Sequence, residues 1–140
     1  MLAFNQAMIE HKAEGGVQGR LARYQHNANV LVEGMREMGF EPYLDENIQG
    51  CIITTYLFPQ DENFDFNTFY LKLQARGLVI YPGKLTEHDC FRLGSIGRLF
   101  ERDMVGLVTA IRDILSREMG VSLPVKQIDV SENAGENVAV

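Results

Sequence analysis

A chain of 140 residues, 46% of them apolar, is long enough to bury one core and too short for several domains. Its net charge is −6 and its lysines and arginines form no cluster, which argues against a nucleic-acid surface, since such a surface needs concentrated positive charge. The stretch poorest in charge, residues 50–60, is about a third of a membrane-spanning length, and the opening residues lack the pattern of a signal or transit peptide. Cys51 and Cys90 have no CxxC spacing, so the expectation is two thiols in a reducing cytoplasm, with no disulfide framework.

The chain opens with a helix over 2–12, carrying apolar Leu2, Met8 and Ile9 and broken by Glu14-Gly15-Gly16. In the next helix Leu21, Tyr24, Ala28, Leu31, Met35 and Met38 recur at steps of three and four, a single core-facing stripe. Gly39 ends it. Residues 40–44 suggest a short strand, and 51–58, rich in β-branched and aromatic residues, a clear one. Asp65 is placed to cap a helix bearing Phe66, Phe69, Tyr70 and Leu73. Short strands are expected over 78–81, ended by Pro82-Gly83, and over 90–93, ended by Gly94. A last helix over 101–119 aligns Met104, Leu107, Val108, Ile111, Ile114, Leu115 and Met119. This order implies an α+β fold with a small, mainly antiparallel sheet packed against helices. Residues 1–120 then form the domain, and the polar stretch within 121–140 reads as a flexible tail.

Chemistry is sparse. His11, His26 and His88 have no metal-ligand spacing, and His88-Asp89-Cys90 cannot converge on one ion from adjacent strand positions. No metal site is expected, and nothing predicts a base beside Cys90. No P-loop, nucleophile elbow or dinucleotide fingerprint is present. One segment stands apart: Arg92 lies between apolar residues on an expected strand, followed by Gly94 and Gly97. A guanidinium stays charged when partly buried, and its planar fork matches a carboxylate or phosphonate. By residue type alone, pairing of Arg92 with a neighbouring carboxylate explains it more readily.

The run Phe91-Arg92-Leu93-Gly94-Ser95-Ile96-Gly97 resembles the aromatic-Arg-aliphatic-Gly-x-aliphatic-Gly signature near the C-terminus of class V aminotransferases. Within that class several segments are similar to the 2-aminoethylphosphonate–pyruvate transaminases. These are Tyr81-Pro82-Gly83-Lys84-Leu85-Thr86, Glu14-Gly15-Gly16-Val17 with Arg23-Tyr24, and Leu31-Val32-Glu33-Gly34-Met35. The resemblance runs over residues 3–120 and does not reach 121–140.

The resemblance implies the C-terminal small domain of a fold-type-I enzyme that uses pyridoxal phosphate (PLP) in two ping-pong half-reactions. 2-Aminoethylphosphonate would leave as phosphonoacetaldehyde, and pyruvate would leave as L-alanine. By motif position Arg92 would grip the anionic end of the substrate, with Tyr81, Lys84, Gly94 and Ser95 near the site. The residues that hold the cofactor, including its lysine, would belong to a large domain missing from this chain. Lys84 is expected to be a loop residue, and residues 1–12 the end of an inter-domain helix. The chain alone would then hold no cofactor and have no activity, while the whole enzyme would be a cytoplasmic homodimer. Two alternatives stand beside this: the small domain of another class V member acting on alanine or serine with a keto acid, or a non-catalytic binding module.

Overall fold

The computed structural model describes residues 2–84 and 88–128. Helix α1 (Leu2–Ala13) buries none of its residues. Helix α2 (Gly16–Arg36) turns Ala28, Leu31 and Met35 inward, and Met38 continues the stripe just beyond it. Strand β1 (Ile53–Leu57) leads to helix α3 (Phe66–Ala75), whose start is capped by the Asp65 carboxylate accepting the Thr68 N–H at 2.7 Å. Strands β2 (Tyr81–Lys84) and β3 (Asp89–Gly94) follow, then helix α4 (Glu101–Asp113). In the first turn of α4 the Asp103 carboxylate accepts the N–H of Phe100 at 2.8 Å.

The three strands form one antiparallel sheet in the order β1-β3-β2, so β3 is central. Helices cover one face. Tyr56, Phe91 and Leu93 from the sheet pack there with Leu31 and Met35 of α2, Phe69 and Leu73 of α3, and Met104 and Ile111 of α4. Helices α2 and α4 approach closely because position 34 is glycine: a Cβ there would fall 2.6 Å from Val108 Cγ1. The α+β class with a small antiparallel sheet agrees with the sequence reading.

Three boundaries differ from expectation. Residues 40–44 form no strand; Tyr43 donates to the Thr55 carbonyl at 2.9 Å and Pro42 makes an isolated bridge with Tyr56. Pro42 has no N–H with which to extend that ladder. The strand expected over 78–81 lies three residues later, and Pro82-Gly83 sit inside it opposite Phe91 and Cys90. β2 is an edge strand, where a missing donor can face away from the sheet. The last helix changes to a π-helical turn over Ile114–Glu118, which still buries Ile114 and Leu115.

Packing also continues past Gly120. Val121 and Val125 are buried, the Val125 N–H donates to Met38 O at 2.8 Å, and Gln60 N–H donates to Lys126 O at 2.7 Å. Residues 121–128 thus pack against the domain through Val121 and Val125, while the rest of the expected tail, 129–140, lies outside the described residues.

Candidate functional site

Side chains alternate across a strand, so residues directly opposite each other on the paired strands share a face. The register places Thr55 of β1, Arg92 of β3 and Tyr81 of β2 in one cross-strand row. Phe91 and Leu93 point to the helices, so this row is on the other face. Tyr81 is 61% exposed and Arg92 half-buried.

Beyond the backbone ladder, the Arg92 side chain makes no hydrogen bond or ion pair with any other described residue. Most other arginines are paired, although the Arg98 side chain is likewise without a hydrogen bond or ion pair among the described residues. Arg20 and Arg23 hold Glu14, Arg36 holds Glu41 and Glu46, Arg76 holds Asp113 and Glu118, and Arg112 holds Glu37. The pairing with a neighbouring carboxylate that residue type alone favours for Arg92 is absent among the described residues. A partly exposed arginine on the central strand is suited to receive an anion through two parallel hydrogen bonds.

The residues expected near Arg92 divide. Tyr81 stands beside it on the same face. Gly94 ends the strand on that face, and a Cβ there would meet only Ile52 O, at 3.9 Å, so the space beside it is open. Ser95 is buried, and its hydroxyl donates to Cys51 O at 2.9 Å while its N–H donates to Ile52 O at 3.0 Å. It anchors the strand's exit to the start of β1. Lys84, expected in a loop, is instead the last residue of β2, paired with Asp89; its side chain lies outside the described part of the structure, as do residues 85–87.

The loop after Ser95 is held by a group that motif reading did not assign a role. Arg23 of α2 donates through Nη1 to Gly97 O at 2.7 Å and Leu99 O at 2.8 Å, and through Nε to Glu14. Asn27 Nδ2 donates to Leu99 O at 2.8 Å. The guanidinium groups of Arg23 and then Arg20 hold the Glu14 carboxyl down at about 2. Glu14, Arg20, Arg23 and Gly97 line a cleft of about 470 Å³ between α1, α2 and the loop. The only signal in the sequence was the run Glu14-Gly15-Gly16-Val17 with Arg23-Tyr24, quoted above for its resemblance.

Among the described residues no three His, Cys, Asp or Glu side chains group to hold a metal ion, and no helix is long and apolar enough to cross a membrane.

Comparison with known proteins bears on the same segments. Over 112 residues, 80% of its length, the chain is 50% identical to the 2-aminoethylphosphonate–pyruvate transaminase of Phocaeicola vulgatus and 47% identical to that of Salmonella paratyphi B. It matches one segment of an aminotransferase. The matched part is 31% and 30% of those relatives, so the chain spans about a third of their length. No protein-family model matches. Among solved structures, the ureidoglycine–glyoxylate aminotransferase of Bacillus subtilis superposes with a TM-score of 0.70 at 18% identity, over 79% of this chain and 29% of that one. At that identity the likeness concerns the fold, which is one found within fold-type-I aminotransferases.

Proposed function

We propose that this chain is the small domain of a transaminase that moves the amino group of 2-aminoethylphosphonate to pyruvate, giving phosphonoacetaldehyde and L-alanine. The sequence likeness to transaminases of that name supports the reaction. The structural observation that carries the reading is Arg92: half-buried, central in the sheet, and without a polar partner among the described residues. Each substrate has an acid group at one end and its reacting carbon beyond it. A fixed cation that grips the acid end orients both, and removes much of the entropic cost of bringing the reacting atoms together. Half-burial strengthens that grip by thinning the water around the guanidinium.

Aminotransferases use PLP, which supplies the electron sink for moving an amino group. Of the four lysines, the side chains of three are described. Lys72 is paired to Glu118 at 2.7 Å, Lys12 lies on α1, none of whose residues is buried, and Lys126 is exposed. In this reading the cofactor and its lysine belong to a large domain outside this chain, and the working enzyme is a homodimer in the cytoplasm.

The test is a chimera in which this chain replaces the matched third of the Phocaeicola vulgatus enzyme. It should form alanine from 2-aminoethylphosphonate and pyruvate, and Arg92→Ala should lower kcat/KM at least about a hundredfold. Faster turnover of alanine or serine than of 2-aminoethylphosphonate would replace the phosphonate assignment with that of another class V member. An Arg92→Ala chimera as active as its parent would remove Arg92 from the site. Turnover by the isolated chain with added PLP would show that it carries its own cofactor chemistry.

A further inference from the structure

Helices α1 and α2 meet at Glu14-Gly15-Gly16, where both glycines have positive φ, 97° and 69°. The joint rests on α2: a Cβ at Gly19 would come within 1.9 Å of the Glu14 carbonyl oxygen, so only glycine lets the two segments touch there. The Glu14 side chain turns back along α2 and accepts from Arg20 Nε at 2.8 Å and from Arg23 Nε.

Arg23 reaches the opposite way as well. Only 15% of its side chain is exposed. Nη1 is shared by the carbonyls of Gly97 and Leu99, and the guanidinium lies 5.0 Å from the Tyr24 ring centre and 5.3 Å from that of Phe100. The loop it holds is the direct continuation of β3, five residues beyond Arg92. Gly97 has a φ of 105°, a conformation that lets the chain turn there and present its carbonyl to α2. One planar group therefore binds the joint of two helices on one side and the exit of the central strand on the other. A rigid guanidinium cannot rotate to follow one partner without loosening the other.

We propose that Glu14 and Arg23 form a latch that positions Arg92. Arg23 holds the loop into which β3 runs, beyond the Ser95 anchor, and Glu14 fixes Arg23. A displacement of α1, which buries nothing in this chain, passes through the latch to the anion-binding strand. The inference rests on the reading of Arg92 as the anion-binding group. Arg23 is a positioning residue and touches no substrate.

The experiment uses the ¹⁵N-labelled chain, following the Arg92 Nε–H resonance and the amides of residues 95–99, and titrating with methylphosphonate. Arg23→Gln should move the Arg92 resonance, broaden those amides and weaken methylphosphonate binding about fivefold or more, with the rest of the spectrum preserved. Glu14→Gln should act in the same direction to a smaller extent. Arg23→Lys keeps a charge for Glu14 but cannot span both partners, and should recover only part of the affinity. A folded Arg23→Gln variant with the wild-type Arg92 resonance and affinity would overturn the latch. If Arg23→Gln fails to fold, Glu14→Gln decides by the same two readouts. If wild type and Arg92→Ala bind methylphosphonate alike, the anion-site reading fails instead, and the Arg92 resonance alone judges the latch: moved in Arg23→Gln it supports it, unmoved it overturns it.

Discussion

Phe91 and Arg92 are consecutive residues of β3 that face opposite sides of the sheet, one at the centre of an aromatic cluster and the other, partly exposed, on the far face. The Phe91 ring lies within 5.7–6.5 Å of Phe40, Tyr56, Phe58, Phe66 and Phe69, centre to centre. The strand that presents Arg92 is thus pinned from behind by five rings. Such contacts, mostly edge-on or offset, are favourable beyond the area they bury.

Removing that pin should unfasten the domain. Phe91→Ala leaves a large cavity and is expected to cost about 3–5 kcal/mol, whereas Phe91→Leu should cost clearly less. Urea denaturation followed by circular dichroism separates the two; equal midpoints would mean that the cluster collapses around the gap.

On the far face the geometry of the cation matters as much as its charge. Lysine in place of Arg92 keeps the charge but loses the two parallel hydrogen bonds, so Arg92→Lys should bind methylphosphonate about tenfold more weakly than wild type. Arg92→Ala should show no saturable binding, and neither change should alter the melting temperature by more than a degree or two, because Arg92 has no polar partner among the described residues to leave stranded. Calorimetric titration gives the affinities.

The latch has a pH signature. Arg23, and after it Arg20, lower the Glu14 carboxyl from 4.5 to about 2, so folding favours its charged form. That contribution is complete above 4.5 and is lost as the pH falls towards 2. The gap in melting temperature between wild type and Glu14→Gln should therefore be constant near neutrality and close between pH 4.5 and 2. A gap that persists at pH 2 would mean that the variant acts through packing.

Gly34 tests the contact between α2 and α4. Alanine is the better helix former by roughly 0.5–1 kcal/mol, yet its methyl would meet both methyls of Val108, at 2.6 and 2.8 Å, and its Cβ at 3.2 Å. Rotation of Val108 offers no escape. Gly34→Ala should destabilise by about 1–3 kcal/mol, and in a Val108→Ala background the same change should become neutral or stabilising. A double-mutant cycle by thermal denaturation measures the coupling.

Periodic elements could be read from the sequence because one physical rule decides them. The α2 and α4 stripes and the Asp65 cap depend on spacing and local chemistry alone, and they stand where expected apart from the π-helical turn at Ile114. Leu21 departs from its stripe: it is 39% exposed, since α2 begins beyond the edge of the core. The short strands were less legible. Pro82 looks like a terminator until the sheet order shows that β2 is an edge. Residues 40–44 look like a strand, yet Pro42 limits them to a single bridge with β1. Arg92 was found by motif, but its lack of a partner needed the pairing register. Arg23 was invisible as a functional residue, because its two carbonyl acceptors are more than 70 positions away in the chain.

Gly83 and Cys90 face each other across the β2–β3 ladder, and a Cβ on Gly83 would lie only 2.5 Å from the Cys90 sulfur. The sulfur occupies the place a side chain would take on the edge strand, with Cys90 wholly buried and Cys51 partly accessible. The chain therefore carries its own clock for strand opening. Under native conditions a thiol reagent should modify Cys51 promptly, while the slow modification of Cys90 counts the moments when the surroundings of Arg92's strand open. An anion that braces that strand would slow the count.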